Sequence, residues 1–286
     1  MSINYLKLNK FPLKSIENII SAKLKKYNNQ SSKRKKIVKK ALNSVFTKKF
    51  SGLALDFDGT LIPLEERDNI VDPIIIHKLK LLNKKKIPIF ILTGRGNSIM
   101  RQFPLSDFTF RNYIIIAQYN GGRITNGNND LIYQTTINSD ENYNEIKNFL
   151  VENSIKFVEK TAGFVCYEKD AAYSLCESFI REIKNWRILT TNFNFDILPS
   201  KISKGLALQK ICKLFDSILI ESILKIGDSG DINGNDYDYL KLKNSFSVGE
   251  FSSDLSTNFP IVNTQNIYLK GPKGLNFILN HLILMD

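Results

Sequence analysis

Leu53-Ala54-Leu55-Asp56-Phe57-Asp58-Gly59-Thr60-Leu61 is an apolar run that ends in two carboxylates at i and i+2, followed at once by a Gly-Thr turn. The run predicts a buried strand that delivers acidic side chains to a loop. Desolvating carboxylates is costly, so stability does not explain their position. A metal ion bound together with a phosphate would offset that cost and is the leading candidate.

Outward from this stretch the pattern is strand, loop, helix. Residues 52–57 predict the first strand and 73–84 a helix. Residues 87–92 predict a second strand, ending in Thr93-Gly94-Arg95-Gly96, and 98–103 a short helix. A third strand over 113–117 leads to Asn120-Gly121-Gly122. After residue 200 the alternation resumes, with a helix over 204–215, a strand over 222–226, an acidic loop over 228–238 and a terminal helix over 274–284. This rhythm predicts an α/β domain with a Rossmann-like parallel sheet. The Asp-rich and Gly-rich loops all follow strands, where open α/β sheets bind ligands.

Residues 134–200 have a different order: helix (140–152), two strands (155–159 and 164–167), helix (171–184), two strands (186–191 and 193–198). That predicts a small α+β domain, αββαββ, inserted between 51–133 and 201–286. Phe193, Phe195, Tyr167 and Trp186 are read as the core of this insert in preference to a stacking platform.

The net charge of +12 is uneven. Residues 1–50 hold 14 Lys/Arg and one acid, Glu17, for +13, whereas the remainder nets −1. The high pI therefore says nothing about the substrate of the rest. Two helical patterns share this segment: Ile16, Ile19, Ile20, Leu24 and Tyr27, then Ile37, Val38, Ala41, Leu42, Val45 and Phe46. Asn28-Asn29-Gln30-Ser31-Ser32 separates them as a loop. The run Lys33-Arg34-Lys35-Lys36 opens the second helix at the end that the dipole disfavours for cations. A basic helical N-terminal extension is expected, packed by its apolar faces with its lysines solvated. The functional alternative is a surface for an anionic partner.

Cys166, Cys176 and Cys212 show no CxxC spacing and read as core thiols. His77 and His281 belong to no motif and read as surface or packing residues. No apolar run approaches the roughly 20 residues of a membrane span, and the first ten residues lack a signal-peptide pattern. A cytoplasmic protein is expected.

Four signals are predicted to converge at one sheet edge: Asp56-Phe57-Asp58-Gly59-Thr60, Thr93-Gly94-Arg95, Lys204-Gly205 and Gly227-Asp228-Ser229-Gly230-Asp231, which runs on to Asn235-Asp236. In this order they resemble the nucleophile, Thr, Lys and acidic metal motifs of the haloacid dehalogenase-like (HAD) phosphohydrolase superfamily. The resemblance covers about residues 50–286. The insert at 134–200 resembles the C2-type cap of trehalose-phosphate phosphatases, sucrose phosphatases and Cof-type sugar phosphatases. Asp196-Ile197-Leu198-Pro199 before Ser203-Lys204-Gly205, and Asn120-Gly121-Gly122, echo the same group.

The resemblance implies an aspartyl-phosphate mechanism. Asp56 is the nucleophile and Asp58 the acid/base. Thr93 and Gly94 hold phosphate oxygens, and Lys204 neutralises charge on Asp56 and the phosphoryl group. Mg²⁺ is held by Asp56, the Asp58 carbonyl, Asp228 and an acid further on. For the last, Asn235 and Asp236 are favoured over Asp231, because the loop carries an insertion relative to the usual motif. Arg95 either contacts substrate or forms a structural ion pair, and Asn120 either contacts substrate or only makes a turn. The expected substrate is a sugar phosphate or a similar small metabolite. The alternatives are a phosphomutase, a nucleic-acid phosphatase, and a scaffold docking through residues 1–50. For the scaffold, deleting that segment is expected to abolish function while turnover persists.

Overall fold

The computed structural model describes residues 4–28, 31–167, 171–190, 194–215 and 218–285. In chain order, β1 (Tyr5–Leu8), α1 (Leu13–Lys26), α2 (Ser32–Thr47) and β2 (Lys49–Phe50) precede β3 (Gly52–Asp56). Then come α3 (Pro73–Lys84), β4 (Ile89–Leu92), α4 (Ile99–Gln102), β5 (Ile114–Gln118) and the hairpin β6 (Arg123–Asn126) and β7 (Leu131–Gln134). The insert holds α5 (Tyr143–Glu152), β8 (Phe157–Lys160), β9 (Gly163–Cys166), α6 (Ala171–Glu182), β10 (Trp186–Thr190) and β11 (Phe195–Pro199). The chain ends with α7 (Lys204–Leu214), β12 (Ile223–Gly230), α8 (Tyr237–Leu240), β13 (Ser245–Phe251), β14 (Phe259–Pro260), α9 (Gly271–Asn280) and β15 (Leu282–Met285).

The main sheet has the order β14-β13-β12-β3-β4-β5-β6-β7 and is parallel from β14 to β5. β3 lies at its centre and is buried throughout, as its unbroken apolar run requires of a parallel strand covered on both faces. Register decides what emerges at the carboxyl edge. Leu55 lies level with Ile226 of β12 and Ile91 of β4, and Leu92 with Ala117 of β5. Asp56, Asp228, Thr93 and Asn120 therefore leave the sheet side by side.

The insert forms its own antiparallel sheet, β10-β11-β9-β8, with the expected αββαββ order. Its core is a separate cluster that includes Phe164, Trp186 and Phe195. Phe193 lies outside the described residues. All three cysteines are buried and free. His77 is exposed, and His281 packs on Phe11 with Nδ1 2.8 Å from the Phe277 carbonyl oxygen.

Two expectations about the ends need correction. Residues 1–50 are not helical alone, because β1 pairs antiparallel with both β2 and β15. The terminal helix stops at Asn280, and the apolar pattern that continues through Leu282 and Leu284 belongs to a strand. The apolar faces of α1 and α2 join the same cluster as β3 and β4, so this segment is part of the main core. The hairpin β6–β7 and the strands β13 and β14 are also additions to the expected elements. No helix among the described residues is long and apolar enough to cross a membrane.

Candidate active site

Asp56 ends β3 with its carboxylate buried. Its Oδ1 accepts a hydrogen bond from Lys204 Nζ at 2.6 Å, while its buried Oδ2 has no partner among the described residues. Lys204 opens α7, where Ser203 caps the helix by accepting from the Leu206 N–H at 3.2 Å. The Lys204 ammonium also donates to Asp236 Oδ1 at 2.6 Å. The second oxygen of Asp236 accepts from the backbone N–H groups of Asp228 (3.0 Å) and Ser229 (3.1 Å), which ties the acidic loop to the end of β12. One ligand oxygen from each of Asp56, Asp228 and Asp236 lies within 4.8 Å of the others.

The first and fourth motifs also touch. Gly59 adopts φ +80°, and a Cβ there would sit 2.1 Å from the Asp228 carboxylate. Only glycine meets both demands at this turn.

Burial, and then the charge of Asp236, push the Asp56 carboxyl up to about 7. Burial, followed by Asp56 and Asp236, raises Asp228 well above the ordinary carboxylate range. Burial works against the Lys204 ammonium, but the two carboxylates outweigh it and hold its pKa raised. Three acids thus face one buried ammonium, and one acid keeps an unpaired oxygen. An all-oxygen, excess-negative cluster of this kind fits a hard divalent cation such as Mg²⁺.

Asp231 lies apart from the cluster. It is one-third exposed (33%), and its Oδ2 is 2.7 Å from Nζ of Lys26 on α1. Of the two candidates for the second acid, Asp236 is the one placed with Asp56 and Asp228. Asn235 lines the cavity beside it.

Arg95 makes an ion pair. Its Nε donates to both Asp58 oxygens (3.0 and 2.7 Å), Nη2 donates to Asp58 and to the Arg67 carbonyl, and Nη1 donates to Gln102 Oε1 at 2.8 Å. Asp58 lines the cavity from beneath this clamp. Thr93 is buried, with Oγ1 accepting from the Arg95 N–H at 3.0 Å, and Gly94 forms the adjacent cavity wall. Asn120 is also buried. It sits in the left-handed region (φ 55°), and its Nδ2 donates to Asp196 Oδ2 of the insert at 3.3 Å. It bridges the two sheets, with its Oδ1 buried and without a hydrogen-bond partner among the described residues.

Above these groups lies a cavity of about 930 Å³. Asp56, Asp58 and Lys204 line it on one side and Lys160, Tyr167 and Tyr173 of the insert on the other. The insert residues were not expected here, and Tyr167, read from the sequence as insert core, is instead half-exposed and lines the cavity. The signal for one of them was present: along β9, Phe164 and Cys166 enter the insert core, so Val165 and then Tyr167 must face away from it. Asp196 was an echo without a role. It lines the cavity, and burial raises its carboxyl to about 6 against the Asn120 hydrogen bond. Gln102, which pins Arg95, carries no signal in the sequence.

The profile of a haloacid dehalogenase-like hydrolase family matches residues 53–189. No curated protein matches the chain. Among solved structures, a phosphatase of the haloalkanoate enzyme superfamily from Bacteroides thetaiotaomicron superposes with a TM-score of 0.59 at 16% identity, over 81% of this chain and 94% of its own. A haloacid dehalogenase-like hydrolase from B. subtilis gives 0.58 at 15% identity, over 72% and 92% of the two chains. A subclass IIB sugar phosphatase of the HAD superfamily gives 0.57 at 20% identity, over 72% and 90%. At these identities the likeness establishes a common fold.

Proposed function

We propose that this chain, a member of the haloacid dehalogenase-like hydrolase superfamily, is a Mg²⁺-dependent phosphatase that cleaves a phosphate monoester of a sugar or similar small polar metabolite. The observation that carries the reading is the state of Asp56. One oxygen is held by a buried ammonium, and the other is unpaired at the edge of a polar cavity.

Asp56 Oδ2 forms the new bond to phosphorus as the bond to the ester oxygen breaks, leaving an aspartyl phosphate. Asp58 gives its proton to the departing oxygen, then takes one from the water that attacks the intermediate. Breaking the Asp56–phosphorus bond restores the carboxylate and releases phosphate. Lys204 holds Asp56 in place and contributes fixed positive charge beside the phosphoryl group. Gly94 offers its backbone N–H to a phosphate oxygen. Asp56, Asp228, Asp236 and the Asp58 carbonyl would hold Mg²⁺, which when bound neutralises the charge between nucleophile and phosphate. The cap wall of Lys160, Tyr167 and Tyr173 supplies the contacts that select the alcohol.

The test is phosphate release by the purified chain across a panel of phosphorylated metabolites with Mg²⁺. Asp56→Asn is expected to lower turnover by at least about 10³-fold, since removal of a covalent nucleophile leaves only binding and electrostatic terms. Retention of Mg²⁺-dependent phosphate release by that variant would overturn the reading.

A further inference from the structure

The basic residues of α2 stand where the helix's own stability disfavours them. Lys33, Arg34, Lys35 and Lys36 directly follow Ser32 at its start, in a first turn that contains no acid, at the positive end of the helix dipole. The apolar residues Val38, Leu42, Val45 and Phe46 are spent on the main core, each no more than 2% exposed. At 3.6 residues per turn, Lys33, Lys36, Lys40, Ser44 and Thr47 form the opposite stripe, and all five are exposed. Among the described residues no carboxylate pairs with Lys33, Lys36, Lys39 or Lys40. α2 thus carries six of the fourteen basic residues of the N-terminal segment, and the lysines of its solvated face have no carboxylate partner among the described residues.

Two polyanions could cover such a face. A membrane-surface helix inserts its apolar side among lipid chains, but the apolar side of α2 is inside the protein. The outward stripe offers lysines and the Ser44 hydroxyl, donors of the kind that contact nucleic-acid phosphates. Where α1 turns into α2, Tyr27 is 39% exposed and the Arg34 guanidinium lies 4.3 Å from its ring centroid. A stacked aromatic–Arg pair at the end of a basic stripe suits an unpaired base. We propose that the outward face of α2, with the Tyr27–Arg34 pair at its start, docks a single-stranded nucleic acid. Lys33, Lys36 and Lys40 meet phosphates, and the stacked pair meets a base. This surface does not depend on the phosphatase reading.

Fluorescence anisotropy of the full chain with a labelled single-stranded RNA of about 12 nucleotides, over roughly 50 to 200 mM salt, tests it. The wild-type chain is expected to bind, with affinity falling as salt rises. Lys33→Glu/Lys36→Glu/Lys40→Glu should weaken binding at least about tenfold and flatten the log–log salt slope by about 2, as loss of three phosphate contacts to a single strand requires. Tyr27→Ala should weaken binding without changing the slope, and Lys270→Glu/Lys273→Glu should change nothing. Matching thermal unfolding shows that the triple variant is folded, and Lys→Gln at the same positions carries the test if it is not. No binding by the wild type at low salt, or equal binding by the folded triple variant, overturns the proposal. So does tighter capture by phosphatidylserine vesicles than by RNA through the same lysines, which would make the face a lipid surface.

Discussion

Arg95 directs its guanidinium donors inward, to Asp58, Gln102 and the Arg67 carbonyl. If Asp58 is the acid/base proposed above, a guanidinium committed in this way positions it instead of binding substrate. Arg95→Gln is expected to lower kcat by about 10–100-fold, part of what a well-placed general acid/base contributes, with KM nearly unchanged. Arg95→Lys should not restore it, since an ammonium cannot reproduce the fork. Steady-state kinetics on the best substrate from the phosphate-release panel check this. A raised KM at constant kcat would place Arg95 on the substrate. Lys23 gives a second residue-scale outcome. Burial lowers its ammonium to about 7, partly offset by Asp254, while Nζ donates to the carbonyls of Ser252 (2.7 Å) and Asn258 (3.2 Å). Between about pH 7 and the ordinary lysine value of 10.5 the unfolded chain binds a proton that the folded chain does not. Lys23 therefore adds stability as pH rises through that window, and this is lost as pH falls toward 7. Lys23→Met should flatten the rise. It should cost about 1–3 kcal/mol at high pH, where it orphans the carbonyls, and less near pH 7. Urea denaturation at the two pH values measures the difference, and parallel profiles for the two proteins would contradict it.

At the scale of elements, two helix caps separate stability from function. Asp72 caps α3 by accepting from the Ile74 N–H at 2.7 Å, and Ser203 caps α7 just before Lys204. Each cap-to-Ala change should cost about 1 kcal/mol. Only Ser203→Ala should also slow turnover, because α7 begins with the ammonium that grips Asp56. Denaturation and turnover measured on both variants decide this, and equal activity in the two would detach the α7 cap from the site. The same elements show what was legible. α3 was readable because its periodicity is a local signal, and Asp72 and Pro73, local signals as well, fix its start in the structure. The choice between Asp231 and Asp236 was readable only as a preference for Asp236, because it turns on an irregularity of β12 between Gly227 and Ser229 and on the reach of Lys204 across 32 residues. Arg95 and Asp58 meet for the same kind of reason, since both leave the sheet at one edge and no local pattern pairs them.

Over the whole molecule, the least legible feature is the closure of the chain on itself. β1 and β15 are four residues each, too short for periodicity to distinguish from turn or helix, and their partners lie at opposite ends of the sequence. That closure changes what deleting residues 1–50 means. Leu6, Phe11, Ile19, Val38, Leu42 and Phe46 are each at most 2% exposed in the cluster that also contains Leu53 and Leu55 of β3. Burying one such side chain contributes about 1.5–3 kcal/mol, so six of them rival the roughly 5–15 kcal/mol by which a domain is stable. The deletion also removes β1 and β2 outright and strips β15 of its strand partner β1. The truncated chain is therefore expected to lose its cooperative thermal transition and its turnover together, so it cannot separate a docking role from catalysis as an appended tail would. Circular dichroism melting and phosphate release on the same preparation test this. A cooperative transition within about 5 °C of the full chain, a shift equivalent to only about 1–2 kcal/mol, would show that the N-terminal segment is an appendage after all.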